Sequence, residues 1–343
     1  MTATPQAQIG RSLQRGFVLA ATLWILAILT VTAGYFAGRV QRARELAQRA
    51  QAHSQAMLDL SNARAEILFR IATTPFSVYG LGPTASDAIA LDDRPYLAPG
   101  DTSIRLQDNR GLLNLNVVDD DRLDRFLNVL GVPASRRAAL IDALRDYVDD
   151  DDLKHLNGAE TADYVAAGLP PPRNAKLVTP REARRIYGWA DVPQLWKDDL
   201  LPRLTGTGSS FSLNPNTASW QVLATMRNMT PQAAQAIIAA RKLTPIVDAG
   251  QIEALTGIRL STDPFMPDAI TFPSESVRVT QQSRAMGWGW QYNVMLTPVS
   301  DTAPWRIDYS YRVELSSLDA AKETLQPLPA RAASQTPSLL PFP

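Results

Sequence analysis

The sequence predicts an α+β protein with three parts: a long N-terminal transmembrane helix, a small α/β domain, and a large α-domain placed between the first strands and the last ones. Three observations carry this reading. Residues Gly16 to Gly38 contain no charged side chain. The centre of the chain repeats apolar residues at helical spacing. After Gly257 the spacing changes to period two, the signature of half-buried strands.

The uncharged run, GFVLAATLWILAILTVTAGYFAG, is closed by Arg15 on one side and Arg39 on the other. About 23 residues at 1.5 Å each can cross a bilayer core of about 30 Å. The run is too long for the apolar part of an ordinary signal peptide, and no small-x-small cleavage pattern follows it. From Arg39 to about Ala72 helix formers dominate and no proline occurs until Pro75, while Leu46, Ala50, Met57, Leu60, Ile67, Leu68 and Ile71 recur with helical spacing. Membrane segment and extension are expected to form one helix of roughly 80 Å. Gly34 and Gly38 form a G-x-x-x-G that permits close helix packing. His53 falls among Gln, Ala and Ser on this helix and reads as a solvated residue.

Residues 75–100, rich in proline and glycine, read as loop. Thr102–Leu106 and Leu112–Leu115 read as strands of a hairpin turning at Asp108-Asn109-Arg110-Gly111. Leu123, Phe126, Leu127 and Leu130 then repeat at i, i+3, i+4, i+7, Gly131 and Pro133 break the run, and Leu140, Ile141, Leu144 and Val148 resume it. About 100 residues on, Asn214-Pro215-Asn216-Thr217 leads into Val222, Leu223 and Met226, a break at Asn228–Pro231, and a helix ending at Arg241. These read as two related helix-hairpin-helix units. Val277 and Val279, then Trp290 to Leu296, then Trp305 to Val313 alternate as three strands returning to the first sheet, and from about Ala320 the composition reads as a disordered tail.

Helix-hairpin-helix units can bind DNA when a glycine-rich hairpin lets backbone N–H groups reach a phosphate. Here Arg227 to Pro231 lacks glycine, and Gly131 is followed by Val132-Pro133. Arg136, Arg137 and Arg241 are candidate phosphate contacts, but Asp119, Asp120, Asp121 and Asp124 flank the first unit. Lysine plus arginine equals aspartate plus glutamate at 34 each, so the net charge is zero. Both points favour protein–protein packing over nucleic-acid binding. The chain has no cysteine and only His53 and His155 as histidines, so thiolate chemistry and a zinc-binding His pair are not available. There is no Ser-His-Asp set and no phosphate-binding glycine loop, and no enzyme activity is expected.

Asp149-Asp150-Asp151-Asp152, with Glu160 and Asp163 downstream, places several carboxylates on a bend, which suits a hard cation with many oxygen ligands. The alternating spacing of an EF-hand is absent. His155 is set aside because hard cations prefer oxygen.

The junction Arg15-Gly16-Phe17, after a short leader with Arg11 and no acid, resembles the class III signal of type IV pilins and type II secretion pseudopilins. A prepilin peptidase cuts such chains after the glycine and methylates the new N-terminus, here Gly16 and Phe17. Most members carry a glutamate five residues into the mature chain, where this sequence has Ala21; its loss is a habit of K-type minor pseudopilins. The order Leu113-Asn114-Leu115-Asn116, the hairpin helices, Asp149-Asp150-Asp151, Asn157-Gly158-Ala159-Glu160 with Tyr164, and Leu213-Asn214-Pro215-Asn216-Thr217-Ala218 resembles the K-type family to about residue 315.

The resemblance implies a leader (1–16), a pilin helix (17–74), a pilin-like α/β domain in two pieces (75–115 and 273–318), an inserted α-domain (116–272) and a tail (319–343). It implies Ca²⁺ in the α-domain, with Asp149, Asp151 and Glu160 as the ligand positions and Asp152 and Asp163 as further ones. Implied partners are the I-, J- and H-type minor pseudopilins, the inner-membrane secretion platform and the prepilin peptidase, with no nucleic acid. It also implies a single pass through the inner membrane with the body in the periplasm. Charge counting points the other way, because Arg39, Arg42, Arg44 and Arg49 outnumber Arg11 and Arg15; the resemblance is followed here. The implied function is a structural one, starting or capping the tip of the periplasmic filament that drives export across the outer membrane. The alternatives are a membrane-anchored DNA receptor of competence type and a membrane-bound enzyme.

Overall fold

A computed structural model describes residues 13–314 and 325–330. The chain divides into two compact units, residues 1–57 and 58–343. Helix α1, Leu13–Thr73, begins in the first and ends in the second. Of the expected leader, residues 1–12 lie outside the described residues.

In the first unit, every residue from Phe17 to Phe36 is exposed except Ala21, which is half-buried. This is one helix long and apolar enough to cross a membrane. Its hydroxyls are satisfied locally: Thr22, Thr30 and Thr32 donate to the carbonyls of Leu19, Leu26 and Ile28 at 2.8–2.9 Å. That removes the cost of carrying an unpaired hydroxyl into hydrocarbon. No other atom comes within 4 Å of a side chain built at Gly34.

In the second unit the elements after α1 run as follows. Strands β1 (Phe76–Ser77), β2 (Gly80–Leu81), β3 (Asp92–Ala98), β4 (Thr102–Asp108) and β5 (Leu113–Asn114) come first. Helices α2 (Asp120–Val129), α3 (Ala134–Val148), α4 (Thr161–Ala166), α5 (Pro193–Trp196) and α6 (Leu200–Leu204) follow. After β6 (Thr205–Gly206) come α7 (Trp220–Leu223), α8 (Pro231–Arg241) and α9 (Ala249–Thr256). The chain returns through β7 (Ser276–Ser283), β8 (Trp288–Leu296), β9 (Trp305–Glu314) and β10 (Gln326–Pro327). The fold is α+β.

The main sheet has the order β10-β3-β4-β7-β8-β9. Its core joins Ala63, Ile67, Leu68 and Ile71 of α1 to Ile104, Leu106, Val277, Val279, Tyr292 and Val294. Burying each of these large apolar side chains contributes roughly 1.5–3 kcal/mol. Polar bonds fix the helix on the sheet: Gln281 Nε2 donates to the Leu60 carbonyl at 3.0 Å, and the Arg64 guanidinium lies 5.0 Å from the Tyr292 ring centre.

The expected hairpin at Asp108–Gly111 does not form. β4 pairs with β3 and β7, whereas β5 pairs in parallel with β6, 92 positions away in sequence at Leu113↔Thr205. Asn109–Gly111 instead makes a 3₁₀ turn, with the Asp108 side chain accepting the Arg110 amide. The turn sends the chain out of the sheet into the helical insertion. Antiparallel β4 and β7 neighbour each other in register up to Asp108↔Val277, so the whole insertion leaves and returns at one end of a single strand pair. Residues 75–100, expected as loop, contribute β1 to β3; Pro95 is accommodated at an irregularity in the β3–β4 register between Asp92 and Pro95. Part of the expected disordered tail is also ordered: Gln326 and Pro327 pair in parallel with Tyr96 and Leu97, and Arg70 Nη1 donates to the Pro329 carbonyl at 2.7 Å. Tail residues 319–324 and 331–343 lie outside the described residues.

A second core, from Leu113 to Leu260, fills the insertion. Its first hairpin joins α2 and α3 through Gly131, whose φ of 78° demands glycine, with the Val132 amide returning to the Leu127 carbonyl. In the second hairpin Thr230 caps α8 through the Ala233 amide and Pro231 occupies its first turn. Asparagines of the two Leu-Asn and Asn-Pro motifs pin the units. Asn116 Nδ2 donates to the Leu177 and Thr207 carbonyls, and Asn216 Nδ2 to those of Ile246 and Thr271.

Candidate functional site

The loop between α3 and α4 gathers the acidic residues. Asp146, in the last turn of α3, is fully buried, and Asp149 caps the helix end. Glu160, also buried, stands at the N-cap of α4. Ligand atoms of Asp146, Asp149 and His155 lie within 4.8 Å of one another. His155 Nδ1 is 2.5 Å from Asp146 Oδ1, which also accepts the His155 amide at 3.0 Å. Gly158 closes the cradle: a side-chain carbon there would sit 1.9 Å from Asp146 Oδ2.

Four oxygens here are buried with no hydrogen-bond partner among the described residues: Asp146 Oδ2, Asp149 Oδ1, and both Oε1 and Oε2 of Glu160. Leaving carboxylate oxygens dry and unpaired is costly. The strain shows in their titration. Burial, reinforced by Asp146 and Asp149, pushes the Glu160 carboxyl up to about 7. Burial and then Asp151 and Asp146 raise Asp149. The hydrogen bond to Asp146 raises His155. A divalent cation would offset the carboxylate charge that raises Asp149 and Glu160, and the Asp146 and Asp149 oxygens are donors that fit Ca²⁺, with His155 Nδ1 the one nitrogen in the group.

The sequence-expected positions separate into two groups. Asp149 lies in the cluster with Asp146, and Glu160, outside that group of three, carries buried oxygens with no partner among the described residues and couples to both by charge. Asp151 and Asp152 are exposed and raise Glu160 only by their charge; Asp151 Oδ1 accepts the Leu153 amide, and Asp152 Oδ1 accepts from Asn174. Asp163 is turned to other work: Oδ1 meets Lys154 Nζ at 2.9 Å and Oδ2 accepts the Glu160 amide at 2.9 Å, and the Lys154 bond holds its carboxyl below the usual range. Asp146, which the sequence reading passed over inside a helix, sits at the centre. Its one sequence signal is the i, i+3 spacing to Asp149, which puts both on one helix face.

The arginines considered for phosphate contact are held internally. Arg137 Nε bonds Asp124 Oδ1 at 2.7 Å, Arg136 donates to the Asp191 and Gly188 carbonyls, and Arg241 Nη1 donates to those of Pro215 and Ala218.

No curated protein matches the sequence. A chain in the crystal structure of the GspK-GspI-GspJ complex from the enterotoxigenic Escherichia coli type 2 secretion system aligns over 80% of this chain and 99% of its own, at 16% identity and a TM-score of 0.49. Two family models match by sequence, over residues 105–197 and 213–271, and both are models of type II secretion system protein K. The first match covers the exit from the sheet, the first helical hairpin and the acidic loop; the second covers the second hairpin. In order on one chain, behind an apolar N-terminal helix, residues 105–197 and 213–271 match the type II secretion system protein K family.

Proposed function

We propose that this chain is a minor pseudopilin that starts or caps the tip of a short periplasmic filament, whose growth drives protein export across the outer membrane. The observation that carries the reading is the arrangement of the chain. Both protein K matches fall in or beside an insertion hung from one strand pair, and α1 presents an uncharged, exposed run ahead of them. Such a helix can lie in lipid and then among the helices of neighbouring subunits, while the insertion offers separate surface for partners. Those partners are the I-, J- and H-type pseudopilins and the inner-membrane platform. Ala21 in place of a carboxylate leaves the uncharged run of this helix with no acid to pair with a neighbour's N-terminal amine, which suits a subunit with nothing ahead of it.

The same reading makes Gly16–Phe17 the site of prepilin peptidase cleavage and methylation, with the N-terminus cytoplasmic before processing and the body periplasmic. The role is assembly and not catalysis. Asp146, Asp149 and Glu160 would hold Ca²⁺, with Asp151 and Asp152 adding charge nearby; the ion supplies the positive charge that the buried oxygens lack. The DNA-receptor reading gains no support from arginines engaged within the fold.

The test is the intact mass of the protein extracted from membranes, with mapping of its N-terminal peptide. A chain beginning at a methylated Phe17 is the expected result. A chain retaining residues 1–16 would remove the protein from the pilin pathway.

A further inference from the structure

A cleft of about 640 Å³ opens between the β1–β2 turn, strand β3 and the C-terminal end of α8. It lies away from the acidic loop and takes no part in the reading above. Its charged lining residues are Asp92, Arg94, Arg241 and Lys242, so three cations face one carboxylate and two positive charges are in excess. Arg94 takes both oxygens of Asp92, Nε to Oδ1 and Nη2 to Oδ2, each at 2.7 Å. Arg241 Nη2 reaches the same Oδ2 only at 4.0 Å, although its side chain is 10% exposed. Its Nη1 is satisfied by two backbone carbonyls, and its ion-pair partner among the described residues, Asp92, is shared with Arg94. Lys242 is exposed and makes no ion pair among the described residues. One carboxylate shared between two guanidiniums, with Lys242 beside them, leaves the solvent-open cavity with excess positive charge, which favours an incoming anion.

We propose that this cleft is a binding site for a carboxylate group, held by Arg241, Arg94 and Lys242, with Tyr79 and Tyr96 as the aromatic walls. The site already shows its preference, since Asp92 lies in the fork of one guanidinium and beside the other. Planar, bidentate pairing is what guanidinium groups offer a carboxylate. The carboxylate can belong to a small acid or to an acidic segment of another protein, and the chemistry in the cleft is the same.

The test uses the full-length protein in detergent, with two probes: glutarate, and a capped tetrapeptide containing two adjacent glutamates. Binding is read by calorimetry and by the unfolding temperature, against sodium chloride at equal ionic strength. The expected result is saturable binding of at least one probe, weakened about tenfold by Arg94→Gln and by Lys242→Gln, the worth of one charge-assisted contact of about 1.4 kcal/mol. Arg259→Gln, at an exposed arginine paired with Glu253 outside the cleft, leaves binding unchanged. Tighter binding of the peptide assigns the carboxylate to a protein partner, and equal or tighter binding of glutarate assigns it to a small molecule. Absence of saturable binding, an effect reproduced by sodium chloride, or wild-type affinity in both cleft variants overturns the proposal. Both variants alter side chains at least partly open to solvent, so a folding defect is not expected to confuse the result.

Discussion

Asp108 and Asn214 are 106 positions apart in sequence, yet Asn214 Nδ2 donates to Asp108 Oδ2 at 2.9 Å in the buried centre of the second unit. The same carboxylate accepts Thr217 Oγ1 at 3.0 Å, the Arg110 amide at 3.0 Å, and both the amide and hydroxyl of Ser274 at 2.9 and 2.7 Å. One side chain thus ties together the point where the chain leaves the sheet, the start of the second helical hairpin, and the point of return.

Removing that carboxylate strands several buried donors. Asp108→Ala is expected to destabilise the protein by about 3 kcal/mol or more, and Asp108→Asn by less, since it keeps the shape and one acceptor. Denaturant midpoints of the three proteins check this; equal midpoints for wild type and Asp108→Ala would contradict the hub.

Calcium is expected to raise the unfolding temperature and chelator to lower it, because a ligand that binds only the folded chain stabilises it, by about 2.7 kcal/mol at a hundred times its dissociation constant. Asp146→Asn should abolish the response while Asp163→Asn largely keeps it, since Asp163 is committed to Lys154 and the Glu160 amide. A response lost equally in both variants would return Asp163 to the ligand set.

Gly158→Ala drives a methyl group into Asp146 Oδ2. The expected outcome is loss of the calcium response together with a lower unfolding temperature in chelator. An unchanged calcium affinity would contradict the place of Gly158 against Asp146 in the cradle.

In chelator, stability should fall as pH rises. The Glu160 carboxyl titrates near 7 in the folded chain against 4.5 ordinarily, so between those values the folded chain holds a proton that the unfolded chain has lost. His155, raised above 6.5 by Asp146, adds stability that is present below 6.5 and lost above its folded value, so it acts in the same direction. The unfolding midpoint in chelator is therefore expected to be higher at about pH 5 than at about pH 8, with calcium reversing the order. A flat profile would argue that the Glu160 oxygens are hydrated.

Ile67→Ala, deep between α1 and the sheet, should cost about 2–5 kcal/mol. Leu58→Ala on the exposed side of the same helix should cost little in the isolated protein. Thermal unfolding of the two variants separates helix packing within the subunit from any role of the exposed face.

What the sequence disclosed and what it hid divide along physical lines. Both helical hairpins and strands β7 to β9 were legible because their apolar periods are local. Strand β3 was not, because Pro95 and its proline-rich surroundings read as loop, and only an irregular register accommodates it. The false hairpin at Asp108 arose because the same Asp-Asn-Arg-Gly chemistry serves a tight hairpin and a 3₁₀ exit; which one forms is set by Asn214, Thr217 and Ser274, far away in sequence. At the acidic loop, the run from Asp149 to Asp152 drew attention by its density, while the buried Asp146 was masked by the helix around it. β10 rests on two paired residues and one arginine bond, too little to leave a pattern.

The insertion has its exit and return at one end of the β4–β7 ladder, with a consequence for mechanical load. A pull that drew the helical body away from the sheet would act at the Asp108↔Val277 fork, where an antiparallel pair opens like a zipper, one rung after another, instead of shearing all at once. Zippers are weak unless their first tooth is locked. The five bonds converging on Asp108 lie at that first tooth, so the fold carries its rivet where peeling would begin.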